Sequence, residues 1–172
     1  VLDVGCGRGM GAIMALQTSA DALVAGIDIW RKRDQSGNDP HAALQNAQEA
    51  NVADRLDLAT ADMSRLPFAD ASFDLAVLHL ILAVVPEPAD CFAEVARILR
   101  PGGQVLVFDK FLRHGQTAPL RRLANPLLRR VATRLDVVFE KLLSAAPALR
   151  VEHDQPALVG GWFRMIRLRK IG

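Results

Sequence analysis

At 172 residues the chain is long enough for one domain with a sizeable core, and 1–172 is read as a single domain. A formal net charge of +2 demands no nucleic-acid partner, and no apolar run is long and uncharged enough to span a bilayer. Two cysteines, Cys6 and Cys91, make no disulfide framework, no Cys/His spacing suggests a metal site, and no stretch reads as a signal peptide, so a cytoplasmic setting is expected.

The chain opens with Val1-Leu2-Asp3-Val4, a short buried strand, followed by glycines at every second position, Gly5, Gly7 and Gly9. Ala12 to Leu16 then has good helix propensity. Strand, glycine turn and helix together bring backbone against a ligand, because glycine tolerates positive φ and carries no Cβ. The helix start adds free N–H groups. A phosphate cradle would carry Lys-Ser or Lys-Thr after its last glycine, and none is present. A dinucleotide fingerprint counted from Gly5 places Met10 at its third glycine. Only the looser frame Gly7-x-Gly9-x-x-Ala12 fits. A chain that begins inside a central strand is expected to lack an N-terminal segment.

Ala22 to Ile29 reads as a second strand ending in Asp28, where a carboxylate can accept hydrogen bonds from both hydroxyls of a ribose. Trp30 to Pro40 is a polar, turn-rich connection, longer than usual for a strand-to-helix link. Asp39 and Pro40 suit an N-cap and first helical position, and the helix runs to about Asn51. Arg55 to Asp62 alternates as a third strand. Leu75 to Leu80 is a near-continuous apolar run, the mark of a strand buried on both faces. Ala89 to Leu99 reads as a helix stopped by Arg100-Pro101-Gly102-Gly103, and Gln104 to Asp109 as a fifth strand.

This alternation argues for a doubly wound parallel sheet, with ligands beyond the carboxyl ends of its strands. Gly5, Asp28, Asp62 and His79 all fall at such ends.

At this point the sequence resembles class I S-adenosylmethionine-dependent methyltransferases. Leu2-Asp3-Val4-Gly5-Cys6-Gly7-Arg8-Gly9 is similar to that family's first motif, and Gly26-Ile27-Asp28-Ile29 to its second strand and ribose acid. Thr60-Ala61-Asp62-Met63 with Leu66-Pro67-Phe68 resembles the adenine-binding turn. Ser72 to Val77 resembles the fourth strand, and Glu94 to Gly103 the helix and turn before the fifth. The match covers about residues 1–110 and is nearest to the small-molecule branch that includes quinone-biosynthesis enzymes.

The resemblance implies a Rossmann-like, mostly parallel seven-stranded sheet with an antiparallel edge strand, in a three-layer αβα sandwich. It implies S-adenosyl-L-methionine as cofactor and a small-molecule or lipid-like acceptor. The backbone of Gly5, Cys6, Gly7 and Gly9 would pass the methionine and ribose, and Asp3 would help hold the methionine amino group. Asp28 would bind the ribose hydroxyls, and Ile29 would pack on the adenine. Asp62 would accept from the adenine amino group, and Met63 would meet the ring. Leu78 and His79 would lie near the methionine end and the acceptor. The helix that usually roofs this site is absent from the sequence. No Asn-Pro-Pro-Tyr signature follows the fourth strand, so amino-DNA methylation is unsupported.

Transfer to such an acceptor needs a general base only if the acceptor keeps its proton. His79 is the best-placed candidate, set against a neutral histidine buried at a strand end. His41 and Asp34 are outside candidates. Cys6 reads as a small packing residue. The alternatives are a nicotinamide-dependent oxidoreductase, which the absence of any tyrosine for a Tyr-x-x-x-Lys pair opposes, and a catalytically silent cofactor-binding domain.

Beyond Phe111, Leu127, Val131, Leu135, Val138 and Leu142 follow helical spacing after Asn125-Pro126. Arginines at 121, 122, 129, 130 and 134 make segment 121–134 basic, which suits either weak contact with an anionic membrane surface or a solvated helix face. Arg150 to Leu158 and Trp162 to Lys170 read as two closing strands. Oligomeric state has no signal in the sequence.

Overall fold

The structure is a computed structural model that describes residues 1–31, 36–111, 137–158 and 162–172. Seven strands form one sheet: β1 (Leu2–Val4), β2 (Val24–Asp28), β3 (Leu56–Thr60), β4 (Phe73–His79), β5 (Leu99–Lys110), β6 (Leu149–Pro156) and β7 (Phe163–Lys170). Their order is β3-β2-β1-β4-β5-β7-β6. The first five run parallel to one another, and β7 is antiparallel to β5 and β6.

β1 is the hinge of this order. Leu2 pairs with Ala25 on one side and Ala76 on the other, and Val4 with Ile27 and Leu78. All three of its residues are buried, which explains the apolar Leu2 and Val4 and leaves Asp3 as a buried acid between them. The strand order reverses between β1 and β4, so a crevice is expected above their carboxyl ends.

Among the described residues four α-helices complete the layers: α1 (Met10–Thr18), α2 (Pro40–Glu49), α3 (Pro88–Ile98) and α4 (Phe139–Ala145). On one sheet face Ala12 and Leu16 of α1 and Ala47 of α2 pack with Val24 and Val52. On the other, Phe92 and Val95 of α3 and Phe139 and Leu142 of α4 cover Leu2, Val4, Ile27, Leu78 and Val107. Spacing of three and four residues puts each set on one helix stripe. Asp39 caps α2, accepting from the His41 amide at 2.8 Å, with Pro40 in the first turn.

Strand β5 begins earlier than its sequence suggests. Helix α3 stops at Ile98, and Leu99 already pairs with Phe73 before the register shifts and Gln104 meets Leu75. Arg100 to Gly103 is the irregular stretch between, with Gly102 at a φ of 80°. Leu127, Val131 and Leu135 of the expected stripe, and the basic segment 121–134, lie outside the described residues; Val138 is half-buried just before α4, and Leu142 is buried within it. Among the described residues no helix is long and apolar enough to cross a membrane, and no His/Cys/Asp/Glu group could hold a metal ion.

Candidate functional site

The turn after β1 is built from three left-handed glycines. Gly5, Gly7 and Gly9 have φ of 73°, 51° and 83°. These bends let the Gly5 and Cys6 amides both donate to the Ile27 carbonyl, each at 2.9 Å, while the Gly9 amide donates to the Cys6 carbonyl at 2.8 Å. Helix α1 follows at once, with Gly9 as its cap and no side-chain cap bond. Its first amides therefore face the turn.

Asp3 sits under this turn. Its carboxyl is buried and accepts from the Ala12 amide. A Cβ added to Gly11 would meet its Oδ2 at 2.8 Å. Oδ2 has no hydrogen-bond partner, and burial lifts the Asp3 pKa to about 6. A buried carboxylate with an idle oxygen is unfavourable until a donor or cation reaches it.

Asp28, buried at the end of β2, ties the turn to the next connection. Its Oδ2 accepts the Gly7 amide at 3.0 Å, and its Oδ1 accepts the Trp30 amide at 2.7 Å and Asn38 Nδ2 at 3.3 Å. The Asp28 carbonyl accepts the Ala61 amide at 3.1 Å, which brings the end of β3 alongside. Trp30 Nε1 spans the same two strand ends to Thr60 Oγ1 at 3.0 Å. Just beyond, exposed Asp62 accepts from the Ser64 amide at 2.9 Å and the Ser64 hydroxyl at 2.7 Å. Those two hydrogen bonds hold its carboxyl below its ordinary pKa. The glycine turn, Asp28 and Asp62 thus share one rim of the sheet.

Residues 2–107 match the family described as "Methyltransferase domain". The chain belongs to this family. The methyltransferase domain is 38% identical over 112 residues to 27-O-demethylrifamycin SV methyltransferase of Amycolatopsis mediterranei, covering 65% of this chain and 39% of that protein. It therefore spans well under half the length of that relative. It is 30% identical over 173 residues to phosphatidylethanolamine N-methyltransferase of Cereibacter sphaeroides, covering 99% of this chain and 79% of that protein. The fold is shared with geranyl diphosphate C-methyltransferase of Streptomyces coelicolor A3(2), solved with Mg2+, geranyl diphosphate and S-adenosyl-L-homocysteine. That match has a TM-score of 0.75 at 16% identity, over 99% of this chain and 70% of that one.

In this methyltransferase domain the segment after β4 closes the turn from the other side. Leu80 takes a left-handed φ of 58°, and its amide donates to the Phe108 carbonyl at 2.8 Å. Ile81 then lies against Gly5, so that a Cβ there would stand 2.4 Å from Ile81 Cδ1. Asp109, fully buried at the end of β5, accepts the Ala83 amide at 3.2 Å and the Lys110 amide at 2.7 Å. Burial pushes its carboxyl up. Asp109 thus anchors the segment that presses Ile81 on the glycine turn.

His79 departs from its expected alternative, a buried histidine. It is exposed, and its ring stacks on Phe108 at 5.5 Å and 30°. Strand alternation is the reason: buried Leu78 faces the core under α3, so His79 faces the other way at the open end of β4. The Leu78 and Met63 side chains both lie in that core, which leaves their backbone for the rim. Ile29 is half-buried beside Asp28. Cys6 packs inward, its Sγ 3.0 Å from where a Gly26 Cβ would lie. Burial pushes its thiol up, with Asp3 and Asp28 adding to the effect. His41 is exposed on α2, and Asp34 lies outside the described residues.

Sequence reasoning passed over Trp30, Asn38, Ile81 and Asp109. The length of the β2–α2 connection was a signal for the first two. Nothing local marks the others, whose roles arise only when β4 and β5 lie side by side.

Proposed function

We propose that the chain binds S-adenosyl-L-methionine along the carboxyl rim of β1, β2 and β3 and methylates a small-molecule or lipid-like acceptor. The carrying observation is the joint built by Asp28 and the Gly7 amide, with the idle Asp3 oxygen buried beneath the same turn. On this reading the backbone of Gly5, Cys6, Gly7 and Gly9 lies along the methionine and ribose. Asp3 provides the negative partner of the methionine ammonium, directly or through water. Asp28 takes the ribose, Ile29 packs on the adenine, and Asp62 accepts from the adenine amino group. Met63 and Leu78 contribute through their backbone.

When bound, the cofactor supplies a methyl group already activated on a positive sulfur. The residues of the chain then have to orient, desolvate and move protons. Holding two reactants in line is worth about 7–11 kcal/mol, so no protein nucleophile is required. His79, on the same sheet face as Val77 and therefore as Asp3, is the proton acceptor for an acceptor molecule that must lose one. The named relatives support the acceptor class: one acts on a demethylrifamycin and the other on phosphatidylethanolamine. Cysteines that are both free and buried fit a cytoplasmic setting.

Calorimetry tests the reading. Saturable binding of S-adenosyl-L-homocysteine, with no heat from NADH, is the expected result. Binding of NADH alone would replace this reading with a nicotinamide-dependent one.

A further inference from the structure

Asp28 has less hydrogen-bonding capacity to spare than its position suggests. A carboxylate offers about two acceptor directions on each oxygen. Oδ1 already takes two donors, the Trp30 amide at 2.7 Å and Asn38 Nδ2 at 3.3 Å. Oδ2 takes one, the Gly7 amide at 3.0 Å. A single direction is open, on Oδ2. A vicinal diol brings two hydroxyl donors, so its second hydroxyl needs another acceptor.

Asn38 has one idle. The residue is 4% exposed, on the connection between β2 and α2. Its Nδ2 lies 3.3 Å from both Asp28 Oδ1 and the Arg31 carbonyl, two groups that only accept. That environment fixes which end of the amide is nitrogen. Asn38 Oδ1 is left buried without a partner. The bond between the two side chains holds this free acceptor next to Asp28. Trp30 contributes by filling Oδ1, which directs the open capacity of Asp28 to the Gly7 side.

We infer that Asn38 is a second ribose-reading residue, so that the diol is divided between Asp28 Oδ2 and Asn38 Oδ1. This rests on the adenosyl reading of the site and goes beyond it, because it gives part of the sugar recognition to a residue outside the strand ends. It also revises the expectation that Asp28 alone takes both hydroxyls.

The experiment is calorimetry of the full chain and of Asn38→Ala with S-adenosyl-L-homocysteine and its 2′-deoxy and 3′-deoxy analogues. In the unsubstituted protein each missing hydroxyl is expected to weaken binding about tenfold. In Asn38→Ala one analogue is expected to match the parent ligand within about twofold, while the other keeps its loss. A merely structural Asn38 would lower all three affinities by one factor and preserve both ratios. That result overturns the inference. Should the alanine variant fail to fold, Asn38→Ser, which keeps a polar atom at the position but shortens its reach, carries the same comparison. If the unsubstituted protein binds none of the three ligands, the adenosyl reading falls and this inference with it. If it binds them and both ratios persist in the variant, only the role of Asn38 falls.

Discussion

Asp28 Oδ2 accepts the Gly7 amide at 3.0 Å, so a side chain ending one strand fixes the backbone bend that ends its neighbour. The same carboxylate also holds the Trp30 amide. Substituting Asp28→Asn turns one acceptor oxygen into a donor that must face an N–H group. We expect a loss of about 1–3 kcal/mol of folding stability, read by urea denaturation. S-adenosyl-L-homocysteine binding should fall by about tenfold or more in the same variant. Unchanged affinity would remove Asp28 from the binding site.

Asp3 ties stability to pH. Its folded pKa of about 6 lies above the ordinary 3.8, so the folded protein holds this proton more tightly than the unfolded chain. The contribution is fully present below about pH 4 and is lost as pH rises through about 6, a change of roughly 3 kcal/mol at most. Asp3→Asn should flatten this part of the stability profile and raise the urea midpoint at pH 7.5. Affinity for a cationic cofactor should show the opposite trend in the unsubstituted protein, strengthening as pH rises through about 6 and the carboxyl ionises. Denaturation and calorimetry across pH 4 to 8 would check both.

The glycines of the turn are not equivalent. At Gly9 a Cβ would meet its nearest neighbour at 3.5 Å, so Gly9→Ala should cost only the positive φ, about 1 kcal/mol. At Gly5 the Cβ would meet Ile81 Cδ1 at 2.4 Å, and a further 1–3 kcal/mol or so of overpacking is expected. Adding Ile81→Ala to Gly5→Ala should recover the overpacking part and leave the backbone part. A double-mutant cycle by denaturation measures this, and strict additivity would contradict the contact.

His79→Phe keeps a ring against Phe108 at an exposed position, so stability should stay within about 0.5 kcal/mol. With an acceptor that must lose a proton, turnover should fall by about 100-fold or more. Cofactor affinity, measured in parallel, should not move. A variant with full turnover would return His79 to a packing role.

The strands and the glycine turn were legible in the sequence because local chemistry dictates them. Apolar runs bounded by glycine and acid give β1, β2 and β4, and Asp39-Pro40 announces the start of α2. The rim position of Asp28 and Asp62 follows from their place at strand ends. What sequence could not supply was pairing at a distance. The exposure of His79 depends on which face Leu78 buries. The early start of β5 depends on Phe73 reaching Leu99. The role of Asn38 depends on a connection folding back over ten residues to Asp28, which no periodicity encodes.

Cys6 lies within the glycine turn, shielded from solvent, with its sulfur packed toward Gly26. An alkylating reagent therefore reaches this thiol only when the turn opens, so the labelling rate at Cys6 is an intrinsic clock for that opening. Cys91, buried in α3 on the opposite face of the sheet, keeps separate time for the far layer within the same sample.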